Sequence, residues 1–202
     1  MNFLAHFLLT PDDDELIVGQ MLGDFTERGW RERASPRVQE GVRLHQKIDV
    51  FADRHAVVEA ARRRFESPYR RYAGVMLDVY FDHVLARDFG RYGGGLSLGE
   101  FSRRCYGALE RAGGGTPPRM QRAMRSMREH DWLGAYATID GVRGALRGIA
   151  RRLRRANPLA EGAELLAAMD TEIAADFETF WPQLEKFAES AYRSGGFSRH
   201  CE

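Results

Sequence analysis

The run Ser35-Pro36-Arg37-Val38-Gln39-Glu40-Gly41-Val42-Arg43-Leu44-His45-Gln46-Lys47-Ile48-Asp49-Val50-Phe51-Ala52 opens as a helix opens. A serine stands at the cap and a proline at the first helical position. Val38, Val42, Ile48 and Phe51 then recur at helical spacing and give it one buried face. The same pattern extends outward in both directions. Asn2 to Leu9 forms a first helix, and Pro11 with Asp12, Asp13 and Asp14 ends it and opens a second through Leu16, Ile17, Met21 and Leu22. A helix over 56–65 comes next, and Pro68 is expected to open a long one through Val75, Val79 and Val84 to about Phe89. Gly93 to Gly95 is a loop, Ser97 with Glu100 makes a capping box, and Gly113 to Pro118 is the next break. Asp131 caps a helix that Asp140-Gly141 is expected to interrupt, and a last helix runs from about Pro158 to Tyr192. Val and Ile total only fifteen, and no alternating stretch stands out. The expectation is an all-α fold: one bundle of about eight helices over 1–193, with a flexible tail over 194–202.

Composition sets limits on function. The 202 residues suit one domain with a sizeable core, and 44% hydrophobic with 29% charged residues excludes wholesale disorder. A net charge of +1 argues against a nucleic-acid binder. No apolar run approaches the 18 or so residues of a membrane span. Met1 to Leu9 lacks the basic start and small-residue end of a signal peptide, and Cys105 and Cys201 form no disulfide framework, so a cytoplasmic protein is expected. Cys105 reads as a small buried hydrophobe. Nearly every basic residue is arginine, since only Lys47 and Lys186 are lysines; arginine's planar fork suits phosphate and carboxylate.

The residues able to do chemistry gather in the first 90 positions. They lie in Asn2-Phe3-Leu4-Ala5-His6, Gly23-Asp24-Phe25, His45-Gln46-Lys47-Ile48-Asp49, Asp53-Arg54 and Leu77-Asp78-Val79-Tyr80-Phe81-Asp82-His83. His45 and Asp49 sit four apart and share a helix face, as do Asp78 and Asp82, with His83 beside them. A lone helical His or Asp is more often a satisfied core group or a surface charge. Carboxylates amid Leu77, Val79, Phe81, Val84 and Leu85, however, need partners. Helices that present His and Asp inward can build a metal centre, and such donors suit Mn, Mg or Fe. His55, His130 and His200 fall outside the cluster and read as structural or surface groups.

With the opening Met1-Asn2-Phe3-Leu4-Ala5-His6, the Gly23-Asp24-Phe25 turn, His45-x-x-Ile48-Asp49-x-x-x-Asp53 and Leu77-Asp78-x-x-x-Asp82-His83, the chain resembles the acyl carrier protein phosphodiesterases. The likeness is co-linear over about 1–90 and looser through Asp131-Trp132-Leu133 and the final helix. It implies a fold like the HD-type phosphohydrolases, a divalent ion (Mn²⁺ or Mg²⁺), and hydrolysis of 4′-phosphopantetheine from the serine of holo acyl carrier protein. It implies that Asp24, His45, Asp49, Asp78, Asp82 and His83 lie around the metal, and that His6, Asp24 and His45 serve the chemistry. The chain departs from the family at Leu8, where relatives often carry a second histidine, and its Asp82-His83 reverses the HD doublet.

The implied partner is a small acidic helical protein, so basic residues near the site are expected to dock it. Arg28, Arg43, Lys47 and Arg54 are the expected contacts, with Arg31 and Arg62 to Arg64 nearby. A second stripe, Arg143, Arg147, Arg151, Arg154 and Arg155, reads rather as a helix face paired with the acidic end of the chain. Residues 141–156 hold six arginines and no acid, and residues 157–202 hold nine acids against three bases. Two other functions fit the same residues. One is an HD-like nucleotide phosphohydrolase with Tyr80 or Trp30 stacking on a base. The other is a helical protein-binding module without chemistry.

Overall fold

The computed structural model describes residues 1–194, all helix, turn and loop, with no strand among them. The tail expected over 194–202, with His200 and Cys201, lies outside the described residues apart from Ser194. The α-helices in chain order are α1 (Phe3–Leu8), α2 (Asp14–Leu22), α3 (Trp30–Arg33), α4 (Pro36–Arg54), α5 (Ala56–Arg63), α6 (Ala73–Arg87), α7 (Leu98–Ala112), α8 (Pro118–Glu129), α9 (Trp132–Ala135), α10 (Ile139–Arg152), α11 (Gly162–Ala168) and α12 (Asp170–Arg193). Short 3-10 turns at Gly23–Phe25, Arg70–Tyr72, Phe89–Arg91 and Leu159–Glu161 join some of them. Among the described residues no helix is long and apolar enough to cross a membrane.

Caps explain most of the boundaries. Ser35 accepts from the Val38 N–H at the start of α4, Asp13 from Leu16 at α2, and Ser97 and Glu100 form a reciprocal box at α7. Three expectations are corrected. Helix α6 starts at Ala73, not Pro68, because the Tyr69 and Arg70 N–H groups both turn back onto the Glu66 carbonyl. Asp140-Gly141 does not interrupt α10. The Thr138 hydroxyl accepts the Gly141 N–H, and Asp140 sits in the first turn, where a carboxylate is favoured. The last helix is broken at Met169, whose N–H closes onto Leu165 and Leu166. That turn delivers Asp170 to α6, where it accepts from Tyr80 Oη and Arg87. Helix breaks of this kind raise the count above eight.

Two packing features bring the polar residues of the first 90 positions together. Helices α2 and α4 meet backbone to backbone at Gly19 and Gly41. A Cβ on Gly19 would lie 2.3 Å from the Val38 carbonyl oxygen, and one on Gly41 2.4 Å from that of Leu16. Only glycine permits that approach. The N-terminus of α1 rests on α6: the Leu4 and Ala5 N–H groups donate to the two carboxylate oxygens of Asp82, at 2.8 and 3.1 Å. Asp82 is fully buried and acts as a cap supplied from another helix. Helix α12 closes the core against α4, α5 and α6, with Phe180 stacked on Phe81 and Phe177 tilted against it.

A candidate metal-binding active site

The two glycines and the Asp82 cap bring α1, α2, α4 and α6 together around one polar group. His6 and His45 stack with ring centroids 4.1 Å apart. His6 Nε2 lies 3.1 Å from Asp49 Oδ1, and His45 Nε2 lies 3.1 Å from Asp49 Oδ2, so one carboxylate faces both rings. Asp24 Oδ1 is 3.7 Å from His45 Nε2. The amino group of Met1 stands 3.2 Å from Asp49 and 3.3 Å from Asp78. Gly23 makes room for this arrangement, since a Cβ there would fall 2.3 Å from the His45 ring. Both histidines are buried, whereas Asp24 keeps 52% of its side chain exposed, so the group opens to solvent on the Asp24 side.

The environments push the titrating groups apart, which is how one site holds acids and bases of different strength. Burial presses the Asp49 carboxyl upward, but His45, His6 and the Met1 amino group outweigh it and hold it well below the carboxylate range. Burial pulls the His6 imidazole down to about 4 against the Asp49 contact, with His45 adding to the fall. Near neutral pH the pair is therefore a neutral imidazole beside an ionised carboxylate. The Asp24 carboxyl is raised by its enclosure and by Asp49, with His45 opposing. Burial also raises Asp78 against the nearby Met1 charge, and that amino group, though desolvated, is lifted to about 10 by Asp78 and Asp49.

The donor set fits a cation. One ligand atom each from His6, His45 and Asp49 lies within 4.8 Å of the others. Two imidazoles and a carboxylate with further carboxylates alongside are donors that divalent first-row ions accept. The Met1 amino group between Asp49 and Asp78 shows that positive charge is accommodated at this point.

Not every expected residue is here. His6, Asp24, His45, Asp49 and Asp78 come together. Asp82 is engaged with α1: each of its oxygens accepts a backbone N–H, from Leu4 and from Ala5. His83 donates from Nδ1 to the Tyr136 carbonyl at 2.7 Å and lies against Tyr80. Both serve the scaffold. One residue escapes a reading by sequence: Gln20, fully buried on α2, with Oε1 3.1 Å from His6 Nδ1. Its only signal is an amide inside the apolar run Leu16 to Leu22.

The expected docking cations scatter. Arg28 is exposed on the loop from Thr26 to Gly29, just before Trp30. Arg43, Lys47 and Arg54 rim a groove of about 630 Å³ floored by Phe51 and Phe187, with Val50 half exposed. Of the neighbours, Arg62 pairs with Asp53 and Arg64 with Asp176, while Arg143 of the second stripe pairs with Asp140 and Glu164. Tyr80 is 1% exposed with its hydroxyl bonded to Asp170, so it is not placed to stack on a base. Cys105 is buried with its thiol pushed up to about 12 by burial, and His55 caps α5.

No solved structure matches the chain. Relatives named acyl carrier protein phosphodiesterase do: that of Photorhabdus laumondii is 30% identical over 94% of this chain and 96% of its own. That of Klebsiella pneumoniae is 30% identical over 94% and 98%, and that of Shigella boydii 31% identical over 91% and 95%. The family model for acyl carrier protein phosphodiesterase matches residues 1–184, a span that holds α1 through most of α12 and every residue of the His/Asp group. The chain belongs to the acyl carrier protein phosphodiesterase family.

Proposed function

We propose that this protein is a phosphodiesterase that hydrolyses 4′-phosphopantetheine from the serine of holo acyl carrier protein, at the group formed by His6, Asp24, His45, Asp49 and Asp78. The observation that carries the site is the carboxylate of Asp49 held between two stacked imidazoles at 3.1 Å from each. His6, His45 and Asp49 would hold a divalent ion, Mn²⁺ or Mg²⁺, with Asp24 and Asp78 alongside. When bound, such an ion lowers the pKa of water and neutralises charge on phosphoryl oxygens.

The reaction forms a bond from a water oxygen to phosphorus, breaks the bond from phosphorus to the serine oxygen, and delivers a proton to that oxygen. Asp24 would move the proton: it stands at the open side of the group, and its enclosure and Asp49 raise its carboxyl above the ordinary value. Asp49 stays ionised and holds the His45 ring through Nε2, with its other oxygen turned to His6. The buried histidines exclude solvent from the inner wall, which strengthens the charge interactions there.

The partner docks along the exposed face of α4. Arg43, Lys47 and Arg54 share the side of α4 opposite His45 and Asp49, and no acid lines their groove. That charge suits an acidic protein. Arg28, on the loop after Asp24, would meet the same partner from the other side.

Incubation with holo acyl carrier protein and Mn²⁺, read by mass spectrometry, should show loss of one phosphopantetheine. Chelation should stop the reaction and added Mn²⁺ restore it. Asp49→Ala and Asp24→Ala, folded by circular dichroism, should each lose ~10²-fold or more. An unchanged mass with metal-loaded wild type overturns the function. Full activity in both variants overturns the site.

A further inference from the structure

Gln20 takes no part in the hydrolysis, and its place is costly. It is fully buried in α2 between Gly19 and Met21, at the backbone contact with α4. Its Oε1 faces His6 Nδ1 at 3.1 Å, while its Nε2 is buried with no hydrogen-bond partner. A buried amide with one end unpaired is worse for stability than an apolar side chain of the same length. Leucine or methionine would fill the space without that penalty. A fold keeps such a group where the polar end does something.

Donor and acceptor roles define the effect of this amide. A carbonyl oxygen only accepts, so Oε1 requires the proton of neutral His6 to sit on Nδ1. Nε2 then carries a lone pair, and it points at Asp49 Oδ1, which is also an acceptor, 3.1 Å away. Two acceptors face each other, and a cation between them satisfies both. The stacked partner His45 lacks this device, because its Nδ1 is buried without a hydrogen-bond partner. Of the two rings, only His6 has its tautomer set from behind.

We infer that Gln20 is a positioning residue: its carbonyl oxygen holds the His6 proton on Nδ1 and so keeps Nε2 as a metal-ligating lone pair aimed into the site beside Asp49. This rests on reading the His/Asp group as a cation site. It adds that the affinity of that site is set by a neutral residue that touches neither cation nor substrate.

The test uses the whole protein labelled with ¹⁵N at histidine, first metal-free and above neutral pH. Long-range proton–nitrogen correlation reports which His6 nitrogen is protonated. In wild type it is Nδ1. In Gln20→Met the proton moves to Nε2, where Asp49 accepts it, and the His45 signals keep their pattern. Mn²⁺ affinity, by calorimetry, falls about 10–100-fold. The melting temperature stays the same or rises, because the unpaired amide is gone. Gln20→Glu keeps an oxygen facing Nδ1 and keeps the wild-type tautomer. A wild type protonated at Nε2 overturns the inference, as does a Gln20→Met protein with unchanged tautomer and Mn²⁺ affinity. A fall in melting temperature with the tautomer unchanged assigns Gln20 to packing and overturns it too. The tautomer needs no substrate. A protein that shows the switch and leaves holo acyl carrier protein intact therefore supports this role while the hydrolase reading fails.

Discussion

Asp82 shows how far a residue's neighbourhood can mislead. In sequence it stands four places from Asp78 amid apolar residues, which marks it as a site carboxylate. Its partners are two backbone N–H groups of α1, and backbone donors leave no trace in residue type. Burial outweighs those donors and lifts its carboxyl to about 7. Between the ordinary carboxylate value and about 7, the folded protein keeps a proton that the unfolded chain has released. The stability tied to Asp82 therefore falls as pH rises through that window. Asp82→Asn lacks this term, while the opposing titration of His6 is common to both proteins. In urea denaturation across pH, the stability advantage of wild type over Asp82→Asn should be greatest at the acidic end, shrink up to about pH 7 and stay level above. A constant difference would place the carboxyl at its ordinary value. His45 and Asp49, by contrast, are legible because one helix carries both. The approach of His6 is not, because three separate helices create it.

At the scale of elements, residue types mark starts better than continuities. Ser35, Asp13, Ser97, Asp131 and Thr138 all act as caps, and each cap is a local event between residues three apart. Thr138 is easily passed over because Asp140-Gly141 looks like a turn. The break at Met169 is hidden because its cause, Asp170 reaching α6, is tertiary. The α2–α4 contact is tertiary as well, and Gly19 and Gly41 give no sign of it in sequence. Gly41→Ala would set a methyl against the Leu16 carbonyl and push the helices apart, at about 1–3 kcal/mol of stability. Because α2 carries Gln20 and leads into Asp24, Mn²⁺ affinity should fall with it. A lowered denaturation midpoint with unaltered Mn²⁺ affinity would show that the site does not depend on this contact.

Across the whole molecule, a net charge of +1 conceals a basic groove on the side of α4 opposite a carboxylate-rich site. Exposed charges are screened over about 8–10 Å at moderate salt. Turnover of holo acyl carrier protein should therefore drop as ionic strength rises, while hydrolysis of a small neutral-ended phosphodiester should not. Arg54→Glu with Val50→Glu should raise KM for the protein substrate about tenfold and leave kcat near wild type. Equal loss on both substrates would place those residues outside docking.

The cap that Asp82 lends to α1 also sets an order of events during synthesis. The Leu4 N–H and its acceptor are 78 positions apart. At ordinary elongation rates that separation corresponds to roughly 4 to 16 seconds between the two residues leaving the peptidyl-transferase centre. Until then the amino-terminal segment has no anchor, and His6 has no fixed place. A nascent chain stalled before residue 82 would carry His6, Asp24, His45, Asp49 and Asp78 yet lack the clamp that aligns them. No chain that ends before residue 82 can therefore be competent, and the later helices that close the core against α6 delay competence further.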